Sequence, residues 1–219
     1  MVDTALFPAM RAAIRQNELG NASPYRLSYA RLGQSGASFG IFQGDTNVNP
    51  LARSTLSEVL NAAGIADAIV GGILAAVSRP LPEGCPLSPA DTALADGALA
   101  APFGQAIVDR MDDQLMQTVL NGIDSCLAAS GARPIDPVAQ LYLALWINMT
   151  GAPTTLAKWL GGTTEAGLAP PDGATVSAAD LENYLQASAY FRENPRNFAH
   201  MQASVAAGTV LLPTVEAAV

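Results

Sequence analysis

The chain is poor in the side chains that carry most metal sites, disulfide frameworks and hydrolytic triads. Its 219 residues include two cysteines and one histidine, and only 6% of them are aromatic. Cys85 and Cys126 have no metal-ligand spacing, and they are compatible with one disulfide or with two thiols. His200 has no partner spacing with a serine or cysteine, which argues against a catalytic triad. We predict no metal and no cofactor.

Charge is also scarce, and most of it is negative. Charged residues make up 14% of the chain, the formal net charge is −8 and the sequence pI is near 4.4. A nucleic-acid-binding protein needs a basic surface that neutralises phosphates, so neither nucleic acid nor an anionic membrane surface is an expected partner. No apolar run reaches the ~18 residues that a membrane span requires.

The composition favours a packed helical protein. Half of the residues are hydrophobic and the mean hydropathy is +0.24, and alanine and leucine are the most frequent apolar residues. We therefore predict an all-α fold in one domain over residues 1–219, with at most a small β-hairpin within residues 20–37. A chain of this length is also compatible with two small subdomains.

Apolar periodicity together with proline and cap residues predicts eight or nine helices. They cover residues 8–18, 49–63, 65–77, 88–99, 102–130, 136–147, a short segment around Trp159, 177–185 and 194–208. The almost wholly apolar segments 65–77 and 136–147 are expected to be buried. The long helix from residue 102 carries an apolar stripe from Phe103 to Ile123, and the pair Asp112-Asp113 is expected to be solvated.

Glu18 is the first candidate for catalysis. It follows Met10 and Ile14 at steps of four, so it continues the apolar stripe of its helix, and Gly20 suits a left-handed helix end. Both burial and the negative end of the helix dipole disfavour a charged carboxylate, so the pKa of Glu18 should be raised. A raised pKa suits a general acid near neutral pH. The alternative is a surface glutamate that pairs with Arg11 or Arg15.

Residues 33–45 carry a resemblance to a known family. The segment is similar to the signature of goose-type lysozymes and soluble lytic transglycosylases, in which a catalytic glutamate precedes a glycine-rich loop. The matching residues are Gly33, Gly36, Phe39, Gly40, Ile41, Phe42, Gln43 and Asp45, and Glu18 precedes Gln43 by 25 residues. A second block, residues 146–153 with Trp159 and Leu160, resembles the downstream asparagine-containing block of the same superfamily.

The resemblance implies a lysozyme-like fold and a glycosidase that cleaves peptidoglycan. It implies Glu18 as the general acid and Asp45 as a residue that holds water or stabilises the cation. Substrate-binding residues implied by the loop and by the second block are Gln34, Ser38, Phe39, Gln43 and Asn148. Leu19 stands where the family usually has serine, and Gln34 stands where goose-type enzymes have an acidic residue.

Each of these residues also has a purely structural interpretation. Asp45 is equally expected to cap its turn, Phe39 and Phe42 to lie in the core, and Asn148 to be hydrogen-bonded internally. Asp45 begins a calcium-loop-like pattern, but Pro50 and Leu56 stand where such a loop needs glycine and glutamate.

Two alternatives to a peptidoglycan-cleaving enzyme follow from the same residues. An acidic enzyme suits a cationic polymer, so a chitosanase-like hydrolase is the second substrate prediction. A non-catalytic lysozyme-like module that binds glycan, or that is part of a phage or secretion machine, is the second class. No signal-peptide pattern is visible at residues 1–4, so the location is open, although an enzyme of this class acts in the periplasm or outside the cell.

Overall fold

The computed structural model describes residues 4–129, 134–151, 154–165 and 167–213. The chain divides into two compact units. Unit 1 comprises Met1–Gly20 and Met116–Val219, and unit 2 comprises Asn21–Leu115. Helices dominate both units, so the prediction of a mainly α fold is confirmed. The prediction of one domain over residues 1–219 stays a prediction.

Across the described ranges, ten α-helices and three short strands follow a 3-10 turn over Thr4–Leu6. In chain order they are α1 (Phe7–Leu19), β1 (Ser28–Tyr29), β2 (Ala37–Phe39), β3 (Gly44–Asp45), α2 (Pro50–Ala62), α3 (Asp67–Val77), α4 (Pro89–Ala100), α5 (Pro102–Ala129), α6 (Pro137–Thr150), α7 (Thr154–Leu160), α8 (Ala178–Ala187), α9 (Ala189–Glu193) and α10 (Pro195–Thr209). Helix α5 contributes residues to both units.

The strands form one antiparallel sheet in the order β1-β2-β3 within unit 2. Ser38 of β2 pairs with Ser28 on one side and with Asp45 on the other. All three residues of β2 are buried, because this strand lies in the middle of the sheet and packs on the core of the unit. The loop between β2 and β3 therefore has a fixed base.

The predicted cap residues begin their helices as expected. The side chain of Asn49 accepts a hydrogen bond from the backbone N–H of Leu51, and Ser88 and Asp136 act in the same way on α4 and α6. Ser177 forms a capping box with Asp180 at the start of α8. Proline is among the first residues of α2, α4, α6 and α10, where its missing N–H leaves no helical bond unmade.

The cores of the two units use different helices. In unit 2, apolar residues of α2, α3, α4 and the first half of α5 pack beside β2. In unit 1, α1 packs on α6 and α10, and Gly208 of α10 lies so close to α1 that a Cβ there would be 2.6 Å from the carbonyl oxygen of Ala9. Helix α6 is buried on nearly every side, as predicted.

Three predictions about the helices and their ends are wrong. Helix α3 buries only Val70, Ile73 and Val77, while Ile69 is 42% exposed, because only one face of the helix packs on the core. Phe103, at the head of the predicted stripe, is 40% exposed at the start of α5. Gly20 ends α1 with a positive φ of 55°, but its ψ of −112° is not that of a left-handed helix.

Some elements had no signal in the sequence, and some predicted segments lie outside the described residues. The short helix α9 was not predicted, since Ser188 supplies a cap but no periodicity can develop over five residues. The expected break over residues 131–133 and the Ala152-Pro153 part of the second block lie outside the described residues. Cys85 and Cys126 are free thiols, the first exposed and the second buried. Within the described ranges, no helix is long and apolar enough to cross a membrane.

Candidate functional site

Glu18 lies in the last turn of α1, on the edge of the helix face that packs in unit 1. Ile14 and Met10, one and two turns earlier, are fully buried, and Glu18 itself is half-buried. The apolar row of the helix therefore continues to the carboxylate, as the spacing predicted. This position removes part of the water around a group that is charged at neutral pH in most proteins.

Two amides hold the same oxygen of the Glu18 carboxylate. Asn148 of α6 donates from Nδ2 to Oε1 at 2.9 Å, and Asn17 donates from Nδ2 to Oε1 at 3.2 Å. Both donors lie in unit 1, and both bonds run to Oε1, so Oε2 is the oxygen on which the proton of the neutral acid is placed. The amide of Asn148 thus fixes the side chain of Glu18 across 130 residues of sequence.

Burial raises the pKa of Glu18, since desolvation disfavours the charged form. The hydrogen bonds from Asn17 and Asn148 and the nearby charge of His200 act in the opposite direction, but the pKa remains above its ordinary value. Glu18 is therefore not an exposed glutamate paired with arginine. Across the part of the chain described, the partners of Glu18 are amides, not the guanidinium groups of Arg11 or Arg15.

His200 contacts Asn17, the residue that precedes Glu18 and binds its carboxylate. It is exposed on α10, and its Nε2 is 2.9 Å from the backbone oxygen of Asn17. A carbonyl oxygen only accepts hydrogen bonds, so the imidazole donates through Nε2. The sequence shows no catalytic partner for this histidine, and it is the packing of α10 on α1 that brings it beside the end of α1.

The resembling loop, residues 33–45, lies entirely in unit 2, and its aspartate is used within the loop. Oδ1 of Asp45 accepts from the backbone N–H groups of Asn47 at 2.7 Å, Gly36 at 3.1 Å and Val48 at 3.3 Å. Oδ2 accepts from the N–H of Gly36 at 3.0 Å. These contacts agree with the structural alternative for Asp45, a residue that caps its turn.

Gln43 is also held within unit 2. Its Oε1 accepts from the hydroxyl of Ser28 at 2.5 Å, and its Nε2 donates to the backbone oxygen of Gly40 at 3.0 Å. Its backbone has a φ of 49°, unusual for a residue with a side chain. The same Ser28 hydroxyl is 3.1 Å from the backbone oxygen of Ser38, and Ser38 is 7% exposed.

The other two predicted loop residues differ in exposure. Phe39 is 0% exposed and belongs to the core of unit 2, so its ring supports the sheet and offers no surface to a ligand. This corrects its assignment as a substrate-binding side chain. Gln34 is exposed, and its backbone oxygen accepts from Nδ2 of Asn47 at 2.6 Å. The side chain of Gln34 is therefore the more accessible of the two.

Asp112 is buried, contrary to the prediction that it is a solvated surface residue. It was expected to be solvated together with Asp113, but it is 0% exposed, whereas Asp113 is exposed. Its Oδ2 accepts from the backbone N–H of Ile41 at 3.0 Å, and its Oδ1 lies 3.5 Å from the N–H of Phe42. A buried carboxylate on α5 therefore fixes the backbone of the loop between β2 and β3.

The absence of a side chain at Gly40 allows the carboxylate of Asp112 to lie close to the backbone of the loop. The φ of Gly40 is +79°, and a Cβ at this position would lie 2.6 Å from Oδ1 of Asp112 and 2.8 Å from Cε of Met111. The glycine of the Phe-Gly-Ile-Phe-Gln motif is thus required by the backbone conformation and by the neighbouring α5. The motif has a structural reason inside this unit, independent of any ligand.

The structure therefore brings Glu18 and Asn148 together in unit 1, and it gathers Gln34, Ser38, Phe39, Gln43 and Asp45 in one loop-and-sheet region of unit 2. The sequence alone did not identify three residues that support these regions, namely Asn17, His200 and Asp112. Within the described ranges, no group of three His, Cys, Asp or Glu side chains is arranged to hold a metal ion.

Comparisons with protein-family models, with curated proteins and with solved structures find no match for this chain.

Proposed function

We propose that the protein is a glycosidase of the lysozyme-like kind, with Glu18 as its general acid and a polymer of amino sugars such as peptidoglycan as its substrate. The observation that carries the proposal is the environment of Glu18. A half-buried carboxyl with a raised pKa, held through Oε1 by two amides, is suited to carry a proton on Oε2 near neutral pH. The resemblance of residues 33–45 and 146–153 supplies the class of substrate.

The chemistry begins with proton transfer from Oε2 of Glu18 to the glycosidic oxygen. The bond between that oxygen and the anomeric carbon then breaks, and positive charge develops on the sugar ring. A hydroxyl of the same sugar attacks the anomeric carbon and returns its proton to the Glu18 carboxylate, which gives an anhydro-sugar. No water is consumed in this sequence, and the acid is regenerated.

We favour this transglycosylase route over a hydrolase with two carboxylates. A second carboxylate has to hold a water molecule or approach the sugar, and the two oxygens of Asp45 already accept four hydrogen bonds from backbone N–H groups. In this proposal Asp45 maintains the loop, and Glu18 acts alone as both acid and base. Asn148 positions Glu18 instead of binding sugar.

The test is the loss of turbidity of a murein suspension with the wild-type protein, Glu18→Gln and Glu193→Gln. Glutamine is isosteric with the acid but cannot donate its proton, while Glu193 is an exposed glutamate on α9 and serves as the matched control. We expect a loss of at least about 10²-fold for Glu18→Gln, as for removal of a general acid, and little change for the control. Activity that survives Glu18→Gln contradicts the proposal.

Mass spectra of the products distinguish the two reactions. Anhydro ends indicate the transglycosylase route. Reducing ends indicate hydrolysis and would support Asp45 as the second carboxylate. The same assay with soluble chitosan tests the cationic alternative, for which the net charge of −8 is the favouring observation.

A non-catalytic glycan-binding module is the second candidate function. It is favoured by Leu19 and Gln34, which stand where the resembling enzymes usually have serine and an acidic residue. Binding of the wild-type protein to insoluble murein, with no product released and with equal binding by Glu18→Gln, would support the module over the enzyme.

A further inference from the structure

We propose that His200 is a positioning residue for Glu18, which sets the pH range over which that carboxyl keeps its proton. This inference rests on the proposed function, but its test follows the protonation of Glu18 and requires no enzymatic activity. Two hydrogen bonds carry it. Nε2 of His200 bonds to the backbone oxygen of Asn17 at 2.9 Å, and the side chain of Asn17 bonds to Oε1 of Glu18 at 3.2 Å.

The imidazole is held in place by packing as well as by that bond. Helices α1 and α10 lie in close contact, and the absence of a side chain at Gly208 allows their backbones to meet at Ala9. One turn after His200, Ser204 is fully buried, and its hydroxyl donates to the backbone oxygen of His200 at 2.9 Å. The position of His200 beside the end of α1 is therefore a property of the unit 1 core.

Protonation changes the charge of this contact without breaking it. The neutral Nε2–H tautomer and the imidazolium both donate to the carbonyl oxygen of Asn17. The ring is exposed on α10, so it exchanges protons freely with solvent. The contact therefore places a ring that can carry a positive charge beside the end of α1.

The direction of the coupling follows from the sign of the charges. An imidazolium near Glu18 favours the carboxylate, and the neighbouring His200 lowers the pKa of Glu18 against the larger effect of desolvation. Removal of the positive charge at position 200 is therefore expected to let Glu18 hold its proton to higher pH.

Few other charged residues lie on α1 and on the helices of unit 1 that pack with it or with α10. Helix α6, packed on α1 and α10, carries none. Those on α1, α8, α9 and α10, besides Glu18 and His200, are Arg11, Arg15, Asp180, Glu182, Arg192, Glu193 and Arg196. Among them, Arg196 lies one turn before His200 on α10 and has the same sign of charge as the imidazolium, so it is the matched control.

The experiment follows the ¹³C resonance of the Glu18 side-chain carboxyl from pH 3 to pH 9, assigned by its absence in Glu18→Gln. It compares the wild type with His200→Gln, His200→Arg and Arg196→Gln. Glutamine keeps a donor for the Asn17 carbonyl and removes the charge, whereas arginine keeps a permanent charge. We expect the Glu18 midpoint to move to higher pH in His200→Gln and not in His200→Arg.

Two results would overturn the inference: an unchanged Glu18 midpoint in His200→Gln, or an equal upward shift in Arg196→Gln. Both are read without substrate, so they are distinct from a failure of the proposed glycosidase activity. Where murein is cleaved, the alkaline limb of kcat/KM should move to higher pH in His200→Gln, in parallel with the resonance. A purely structural histidine would lower activity at all pH values without moving the limb.

Discussion

At the scale of single residues, the two carboxylates with the most unusual surroundings are Glu18 and Asp112. Each lies in an apolar row of its helix, and each accepts hydrogen bonds from groups distant in sequence. They differ in their donors. Asp112 is fully buried and accepts from backbone N–H groups of a loop, which is the arrangement of a structural anchor. Glu18 is half-buried and accepts from side-chain amides, with one oxygen left for a proton.

The raised pKa of Glu18 predicts that the charged carboxylate destabilises unit 1. A group whose pKa is raised on folding contributes stability below its unfolded pKa, and this stability is lost as the pH rises through the folded pKa. Glutamine does not titrate. We therefore expect Glu18→Gln to match the wild type in urea unfolding at pH 4 and to become progressively more stable than the wild type towards pH 8. Glu193→Gln controls for the loss of one negative charge, and a difference that does not depend on pH would contradict the prediction.

The anchor role of Asp112 predicts a large effect of a small change. Asp112→Asn removes the charge that two backbone N–H groups of the loop share and places a donor where only an acceptor fits. We expect a loss of about 1–3 kcal/mol in the free energy of unfolding. The exposed neighbour, changed as Asp113→Asn, is the control and should lose much less. Equal effects of the two changes would mean that the loop does not depend on Asp112.

At the scale of elements, the turn between β2 and β3 is tightly constrained by its backbone and by its neighbours. Gly40 has a positive φ and no space for a Cβ, Gln43 has a positive φ of its own, and α5 closes one side. Such a turn keeps its shape because its neighbours over-determine it. The adjacent helix α2 is defined locally instead, by the cap of Asn49 and by Pro50.

Gly40→Ala should therefore destabilise the protein. A left-handed backbone costs about 1–2 kcal/mol for a residue with a Cβ, and the contacts with Asp112 and Met111 add to this cost. Gly71→Ala is the matched control, because Gly71 lies inside α3 and a Cβ there meets nothing within 4 Å. There we expect a gain of about 0.5–1 kcal/mol from helix propensity. Urea unfolding of both variants measures the opposite signs, and a Gly40→Ala variant as stable as the wild type would contradict the prediction.

The cap of α2 gives a smaller and purely local prediction. Asn49→Ala removes the acceptor for the N–H of Leu51, and we expect a loss of about 1 kcal/mol. Asn49→Asp keeps an acceptor and should retain most of the stability in the same unfolding measurement. If the two variants were equally destabilised, the side-chain bond would not be the cause.

At the scale of the whole molecule, the net charge of −8 acts on any charged polymer that the protein meets. An anionic polymer is repelled and a cationic one attracted, and salt weakens both effects. We expect cleavage or binding of murein to improve when the ionic strength rises from about 0.01 M to 0.15 M, and that of chitosan to weaken over the same range. Initial rates at constant pH measure this, and an uncharged polymer is the control. An opposite salt response would mean that a local charge near the site outweighs the net charge.

The amino-acid sequence alone predicted a good part of this molecule. Local rules define the starts of α2, α4, α6 and α8 and the buried character of α6, because caps and apolar periodicity act within a few residues. The row of Met10, Ile14 and Glu18 predicted a half-buried carboxyl for the same reason. The equivalent row of Val108, Asp112 and Met116 carries the same signal, and Asp112 is buried accordingly.

The tertiary structure decided what each of these residues contacts. Asn148 meets Glu18, His200 meets Asn17, and Asp112 meets the loop at Ile41, all across long separations in sequence. Helix α3 is exposed on most of its surface although it is almost wholly apolar, because burial depends on what packs against a helix. Hydrophobic pattern and cap chemistry are local, and the sequence by itself determines them. The pKa of Glu18 depends on helices that meet only when unit 1 folds.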